Sequence, residues 1–399
     1  MMISACLRNR SSSLSQFLLL FPGRSIFAVG NLLRRYILLI LTAFIIISLF
    51  SPWQRHKPPV RYFAILSSDL NLYYLIHIPL VVQHWKNLGA DSLLFITLKQ
   101  DEEIDSAAQL VIDFAEYLGA HVTKYYNNTI SAGQFAQTLR TFAAGDAFAH
   151  KLNPDNTIFI TTDVDFFPSN LTHHIPKLDK GKEIMFYDKD CCGYLKWKDT
   201  RFEMFAMTSV GMTLRRWREI IDLPSKPIDS QFIETYVNAT FDNTISQQDH
   251  FWKWYLDQQF FGYKMHLWIE KHPREYENIT ETFKRGERLE RKFWPADEVL
   301  ESVEDTWKHY ESAHVAPGIF MENVWIKNLV LYKKIFPKEQ LEQISSFREH
   351  IVKLINVTET MSRHYHPEQN DTYWRSTFHQ EGMLNDGREA PKHKPLAVA

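Results

Sequence analysis

The segment that decides the fold is Thr157-Ile158-Phe159-Ile160-Thr161-Thr162-Asp163-Val164-Asp165-Phe166-Phe167-Pro168. The β-branched and aromatic residues at 157–162 predict a buried strand of an α/β sheet, which Pro168 brings to an end. On extended backbone, Asp163 and Asp165 point to the same face. Ligands of open α/β sheets bind beyond the carboxyl ends of the strands. The acid pair therefore predicts a binding site for a divalent cation and its bound phosphates. The alternative is a surface turn with two solvated acids.

Strand-like and helix-like patterns alternate upstream of this segment, as is typical of a parallel, doubly wound sheet. Downstream the pattern is mixed. The expected fold class is therefore α/β, a single domain with a mostly parallel, doubly wound sheet and a mixed C-terminal part. The expected strands are 62–69, 92–97, 120–126, 157–162, 182–187 and 205–212, and the expected helices are 71–88, 101–118, 131–149, one starting at 215–221 and one within 250–270.

The N-terminal region predicts a membrane anchor. The chain has no acidic residue before Asp69, and 36–53 is an uncharged run of 18 residues, close to the length needed to cross a bilayer. Arg34 and Arg35 precede it, so the positive-inside rule places the N-terminus in the cytosol and the body in the lumen. A cleaved signal peptide is the alternative, but no small-residue cleavage site follows the run. The expected organisation is a tail at 1–35, an anchor at 36–53, a stem at 54–60, a catalytic domain at 61–335 and a helical extension with a polar tail at 336–399.

The composition narrows the class of the luminal body. The net charge is −2 without a long basic block, which argues against nucleic-acid binding. The only cysteines after the anchor are the adjacent Cys191 and Cys192, which excludes a small disulfide-stapled domain and a metal site of several thiolates. The N-x-S/T sequons after the anchor agree with a luminal glycoprotein. There are six of them, at Asn127, Asn170, Asn238, Asn278, Asn356 and Asn370.

An anchor, a short stem, an α/β half and an acid pair at a strand end together resemble a type II Golgi glycosyltransferase of the GT-A fold, over about residues 60–335. Asp163-Val164-Asp165 is similar to the D-x-D motif, and Thr208-Ser209-Val210-Gly211-Met212 to the glycine-containing loop beside donor and acceptor. Tyr255-Leu256-Asp257-Gln258 and His314-Val315-Ala316-Pro317-Gly318 resemble the acidic helix start and the C-terminal histidine loop. The resemblance implies a Golgi membrane protein that uses Mn²⁺ or Mg²⁺, a nucleoside diphosphate sugar donor and a glycan, glycoprotein or glycolipid acceptor.

The resemblance also implies roles for individual residues. Asp165 is the expected direct metal ligand, and Asp163 binds the metal through water or contacts the ribose. His314 is the expected third ligand, which would favour Mn²⁺, or it is a solvated loop histidine. Asp69, at the end of the first strand, contacts the nucleotide base or ribose, or else caps a helix. Gly211 lies beside the donor.

An inverting transferase also needs a base for the acceptor hydroxyl, whereas a retaining one does not. Asp257 is the first candidate, Asp249 the second, and Asp188 and Asp190 the third, with binding of the acceptor sugar as the alternative for these last two. For Asp257 the plain alternative is a helix cap or ion pair. Around Arg288, arginines recur at every third residue, at positions 285, 288 and 291. One of these guanidinium groups, with Arg288 as the candidate, is expected to contact the diphosphate. The alternative is that the run forms a solvated helix face.

Two other classes of protein are compatible with these features. A non-catalytic luminal binding or chaperone subunit could keep the fold, although it has little reason to keep both acids. A membrane-anchored phosphohydrolase could also use a D-x-D near a strand end. That chemistry needs an aspartyl nucleophile followed by a Thr or Ser and Lys motif, and the sequence contains none in convincing order.

Overall fold

The computed structural model describes residues 36–42, 59–127, 129–245, 254–291 and 310–364. The chain divides into two compact units, Met1–Pro59 and Val60–Ala399. In the first unit, residues 36–42 form a short helix with exposed side chains. The rest of the predicted anchor, 43–53, lies outside the described residues. Among the helices that are described, none combines the length and the apolar character that a membrane crossing requires.

The second unit is built on a seven-stranded sheet with the order β10-β6-β9-β4-β1-β2-β3. Its strands are parallel except β9, which runs antiparallel to both of its neighbours. The expected α/β class, with a mainly parallel sheet that becomes mixed, is thereby confirmed. The sheet strands are β1 (Arg61–Ser68), β2 (Asp91–Lys99), β3 (His121–Asn127), β4 (Thr157–Thr161), β6 (Ile184–Tyr187), β9 (Val210–Thr213) and β10 (Thr280–Phe283), and the remaining strands are β5 (Phe166–Pro168), β7 (Tyr194–Trp197), β8 (Thr200–Glu203), β11 (Glu287–Glu290) and β12 (Tyr310–His314).

Helices cover both faces of the sheet, and the strands alternate their side chains between two cores. In β4, Ile158 and Ile160 belong to one hydrophobic cluster and Phe159 to the other. This alternation follows from the two-residue period of a strand buried on both sides. Helices α1, α2, α3, α9 and α10 contribute to the first cluster, and α4 to α7 to the second. The helices are α1 (Leu72–Leu75), α2 (Ile78–Leu88), α3 (Ser106–Tyr117), α4 (Ala132–Phe142), α5 (Leu214–Ile221), α6 (Ser230–Thr240), α7 (Leu256–Lys271), α8 (Pro273–Ile279), α9 (Glu322–Ile335), α10 (Lys338–Leu354) and α11 (Val357–His364).

The helix expected at 71–88, with a kink or restart at Pro79, is two helices, and Gly89, its expected end, terminates the second with a left-handed φ of 95°. Two other helix boundaries differ from the sequence-based expectations for local reasons. The helix expected from residue 101 begins at Ser106, because the side chain of Asp105 accepts a hydrogen bond from the backbone N–H of Ala108. The helix expected at 131–149 ends at Phe142 and continues as short 3₁₀ turns.

A smaller sheet has the strand order β11-β12-β5. Strand β5 begins directly after Asp165, and its pairing with β12 brings a C-terminal segment of the chain next to the acid pair. β12 pairs antiparallel with β5, so that His314 is opposite Phe166. The arginine run, one reading of which was a solvated helix face, instead includes strand β11, which pairs parallel with β12. The helix alternative is therefore wrong, because a partner strand distant in sequence determines the backbone of this run.

Gly211 lies in the central strand β9 rather than in a loop. Its register partners are Ile160 of β4 and Met185 of β6. A Cβ atom at this position would overlap the carbonyl oxygen of His174. The residue is therefore needed for close backbone packing beneath the site.

We expect Gly211→Ala to lower the free energy of unfolding by about 1–3 kcal/mol, because the overlapping atom belongs to the backbone and cannot rotate away. Gly133→Ala, in the first turn of α4, is the matched control, since its nearest atom would be the carboxylate oxygen of Asp69 at 3.3 Å. Its expected effect is within about 1 kcal/mol. Chemical denaturation of both variants checks this, and equal stabilities would contradict the packing role of Gly211.

Candidate functional site

The three predicted metal ligands lie together at the carboxyl end of β4. His314 Nε2 is 2.9 Å from Asp165 Oδ1 and 4.0 Å from Asp163 Oδ2. One ligand atom from each of the three residues lies within 4.8 Å of the others. The cluster is formed by the strand end that carries both acids and by β12, whose last residue is His314. Two carboxylates and an imidazole make a donor set that suits Mn²⁺.

A second group of two acids and a histidine is equally close-set but more exposed. Glu219, His272 and Glu275 lie within 4.8 Å of one another. The guanidinium of Arg216 forms ion pairs with both of these glutamates, at 2.6 Å each. Arginines pair with the acids of both groups, but Glu219 is exposed, whereas Asp165 is buried and Asp163 and His314 are half-buried.

Arg140, on α4, holds Asp163 from beneath. The Arg140 side chain is buried, forms an ion pair with Asp163 and donates to the carbonyl oxygen of Thr162 at 3.1 Å. The hydroxyl of Thr208 donates to the other carboxylate oxygen of Asp163 at 2.9 Å. Burial alone would raise the pKa of Asp163, but the charges of Arg140 and His314 outweigh it and lower the pKa. Asp163 is therefore held as an anion in one orientation.

Asp165 is the most enclosed acid of the pair. Its side chain is 4% exposed, with His314 on one oxygen and the Arg291 guanidinium 3.1 Å from the other. Burial would raise its pKa, but His314 and Arg291 hold the pKa of this carboxyl well below its usual range. Arg291 is thus the arginine of the run that reaches the acid pair.

His314 is flanked by carboxylates on both ring nitrogens. Its Nδ1 lies 3.7 Å from Glu290 Oε2, on the side away from the acid pair. Burial would lower the pKa of His314, but Asp165 and Glu290 reverse this and raise it. The pKa of Glu290 is lowered to about 2, because His314 and Arg288 outweigh the effect of its burial. A carboxylate behind a ligating histidine orients the ring and increases its basicity.

Arg288 is connected to the site only indirectly. It forms an ion pair with Glu290, which in turn faces His314. No contact of its guanidinium with Asp163 or Asp165 is found among the described residues. The role predicted for it, a direct contact with the diphosphate, stays a prediction, and the described position of Arg291 is closer to that role.

Asp257 is in the first turn of α7 and forms a buried ion pair. Its Oδ2 lies 2.6 Å from Arg140 Nη2, and its Oδ1 accepts from the backbone N–H of Gln258 at 2.8 Å. Burial raises the pKa of Asp257 against the opposing charge of Arg140. A raised pKa suits a proton acceptor, although both carboxylate oxygens are engaged. The other candidate base, Asp249, lies outside the described residues.

Asp69 lies just beyond the carboxyl end of β1, and its surroundings distinguish the two readings of it. The side chain of Asn71, not that of Asp69, caps α1, while Asp69 Oδ1 accepts from the backbone N–H of Asn71 at 3.1 Å. The helix-cap alternative for Asp69 is therefore wrong in this structure. Its contact with a nucleotide stays a prediction.

Asp188 follows β6 with a left-handed φ of 61° and lies 3.2 Å from the guanidinium of Arg285. Cys191 and Cys192, next along the chain, form a disulfide with each other. The side chain of Asp190, which precedes Cys191, lies outside the described part of the chain. The backbone at Lys189–Cys191 forms a short 3₁₀ turn shortly after β6, the strand adjacent to β9.

Sequence reasoning missed two residues that complete the site. Arg140 lies in a predicted helix, and its signal was a single charge among Phe135, Leu139 and Phe142 on an apolar face. Glu290 alternates with arginines, so its sequence context looked like that of an exposed face. Neither pairing leaves a local pattern, since Arg140 and Asp257 are 117 residues apart.

Comparisons with known proteins give likenesses only at the level of structure. No protein-family model matches the chain, and no curated protein matches it. A crystal structure of the galactosyltransferase LgtC in complex with donor and acceptor sugar analogs aligns with a TM-score of 0.37 and 10% identity, covering 69% of this chain and 98% of that one. An active-site mutant of LgtC gives 0.36 and 8%, with the same coverage. The bifunctional glycosyltransferase WbbM, without ligand, gives 0.38 and 10%, covering 73% of this chain and 52% of that one. At these TM-scores the likeness identifies neither the activity nor the ligands of this chain.

Proposed function

We propose that this protein is a metal-dependent glycosyltransferase that moves a sugar from a nucleoside diphosphate sugar to a glycan acceptor. The observation that carries the proposal is the cluster of Asp163, Asp165 and His314 at the carboxyl end of β4. In an open α/β sheet this is the edge at which ligands bind. Both acids have lowered pKa values, so they are anions at neutral pH.

The residues of this cluster fit a divalent cation. Asp165 and His314 Nε2 would hold it, with Asp163 beside them, and Glu290 would orient the imidazole from behind. When bound, the ion stabilises the negative charge that develops on the leaving diphosphate. The raised pKa of His314 favours the protonated imidazole when no metal is bound. Because only the neutral imidazole can ligate a metal ion, metal binding would release this proton.

The cationic side chains of the site have separate proposed tasks. Arg291 is partly exposed, and its guanidinium next to Asp165 is placed to bind phosphate oxygens in two-point fashion. Arg140 is buried and orients Asp163. Asp257 is the proposed proton acceptor for the acceptor hydroxyl in an inverting reaction, and its buried pairing with Arg140 keeps it near Asp163.

The proposal includes the setting expected from the sequence, a single-pass type II protein of the Golgi membrane with its catalytic domain in the lumen. The uncharged run at 36–53 and the arginines before it support this setting. The sequons distributed over the second unit support it as well. Such a location would give the enzyme access to glycans on luminal proteins or lipids.

Thermal unfolding of the full-length protein with a panel of nucleoside diphosphates tests the proposal. With Mn²⁺, we expect one nucleotide to stabilise the fold by about 2.7 kcal/mol at a hundredfold excess over its dissociation constant, because it binds only the folded state. The same nucleotide in EDTA should give little stabilisation. Release of free sugar from the matching nucleotide sugar then separates a transferase from a binding subunit with this fold. If no nucleotide stabilises the protein with either Mn²⁺ or Mg²⁺, the proposal is wrong.

A further inference from the structure

The loop that follows His314 is fixed by hydrogen bonds from four separate parts of the chain. We call residues 315–321 the histidine loop. At its start, the backbone N–H of Val315 donates to the carbonyl oxygen of Asp165 at 3.0 Å, which ties the loop to the acid pair itself. The N–H of Gly318 donates to the carbonyl oxygen of Tyr73 at 2.7 Å, where a left-handed φ of 78° turns the chain. These bonds hold the loop by its N–H groups.

The carbonyl oxygens of the histidine loop are held by two buried side chains from the C-terminal helices. Asn328, on α9, donates to the carbonyl oxygen of Ala316 at 2.8 Å. Arg348, on α10, donates to the carbonyl oxygens of Ile319 at 2.7 Å and Phe320 at 3.3 Å. One guanidinium therefore holds two consecutive carbonyl groups, a geometry that suits its rigid, planar fork of donors better than the flexible ammonium of a lysine.

Arg348 is itself held in place by its surroundings. It is 8% exposed, lies 5.2 Å from the ring centroid of Trp325 and forms an ion pair with Glu322 at 2.6 Å. Its helix packs through Ile344 and Ile351, on the same face, into the hydrophobic core. The partner Glu322 is largely exposed, so the ion pair adds little, whereas the two buried carbonyl groups would be left without a donor if Arg348 were removed.

We propose that Arg348 is a positioning residue of the metal-binding cluster: by holding the histidine loop, it determines where His314 lies relative to Asp165. The inference rests on the proposed function only in treating His314 as a metal ligand. It assigns a task at the cluster to α10, which lies beyond the predicted catalytic domain at 61–335. Outer groups that orient metal ligands typically change metal affinity about 10- to 100-fold when they are removed.

The test measures Mn²⁺ affinity by isothermal titration calorimetry on the full-length protein and three variants. Arg348→Met keeps the apolar stem and removes all donors, and Arg348→Lys keeps the charge but not the fork. Arg218→Met is the matched control, because Arg218 is also partly buried and donates to a backbone carbonyl oxygen, that of Ala144 at 2.9 Å, on the side of the sheet where β4 begins. We expect Arg348→Met to weaken Mn²⁺ binding about tenfold or more and Arg348→Lys to weaken it less. Arg218→Met should leave the affinity unchanged.

Hydrogen exchange adds a readout that requires no metal. In Arg348→Met, the amides of Val315 and Gly318 should exchange faster than in the wild type, and in Arg218→Met they should not. If Arg348→Met folds and binds Mn²⁺ as the wild type does, the proposed role of Arg348 is wrong; if it does not fold, the same comparison with Arg348→Lys decides. If the wild type itself binds no Mn²⁺, the metal of the proposed function is wrong instead, and exchange alone reports whether Arg348 holds the loop.

Discussion

Asp165→Asn should abolish Mn²⁺-dependent sugar transfer, with a loss of at least about 10³-fold, while leaving a folded protein. The carboxylate of Asp165 contacts both His314 and Arg291, and an amide of the same size supplies neither its charge nor its second acceptor oxygen. Because a bound metal ion contributes several kcal/mol to the stabilisation of a transition state, its loss accounts for an effect of this size. Transfer rates and Mn²⁺ titrations on the full-length protein measure it.

The control for this variant is Asp146→Asn. Asp146 is also a buried aspartate, with hydrogen bonds from the hydroxyl of Tyr125 at 2.9 Å and the N–H of Phe148 at 2.8 Å, but it contacts neither the acid pair nor His314. The Asp146→Asn variant should be less stable than the wild type and should bind Mn²⁺ with the same affinity. Equal activity of Asp165→Asn and wild type would exclude Asp165 as a metal ligand.

The difference in stability between the wild type and Asp165→Asn should also depend on pH in a defined direction. The pKa of Asp165 is lower in the folded protein than the ordinary value of about 3.9. Its ionised form therefore stabilises the fold fully above that value, and this contribution is lost as the pH falls toward the folded-state pKa. The difference in unfolding free energy between wild type and Asp165→Asn, measured without added metal, should be largest near neutral pH and decrease below about pH 4.

Arg140→Met is expected to be the most destabilising of the substitutions considered, by about 3–5 kcal/mol. Arg140 is the shared partner of Asp163 and Asp257, and its removal leaves the buried carboxylate of Asp257 and the half-buried one of Asp163 without their counter-charge. Chemical denaturation gives the free energy of unfolding directly.

A double-mutant cycle separates the loss of charge pairing from the loss of packing. Asp257→Asn removes one of the two stranded charges, so Arg140→Met together with Asp257→Asn should cost less than the sum of the single variants. We expect an interaction energy of about 0.5–3 kcal/mol, as for other residues in one network. Strict additivity would mean that Arg140 and Asp257 do not stabilise each other.

The features that sequence predicts here are those with a local cause. The strand at 157–161 follows from a run of β-branched and aromatic residues, and the acids after it follow from their place at its end. Gly89 ends a helix through its own backbone freedom. Each of these depends on neighbours within a few residues.

The parts of the site that sequence did not predict depend on partners far along the chain. A regular spacing of arginines at 285–291 is compatible with a helix face, and only the pairing with β12 makes the segment a strand. Arg140 is a helical residue whose charge is explained by Asp163 and Asp257, 23 and 117 residues away. Tertiary context of this kind overrides local propensity, and a single sequence contains no direct record of it.

The pairing of β5 with β12 also sets an order of events during synthesis on the ribosome. His314 follows Asp165 by 149 residues, which corresponds to roughly 7–30 s at ordinary elongation rates. During that interval the nascent chain already contains Arg140, the partner of Asp163, whereas the partners of Asp165 come later, Arg291 after 126 residues and His314 last. The histidine loop gains its last tether only when Arg348 has been added, so a chain released before that point carries both acids without the contacts that hold this loop.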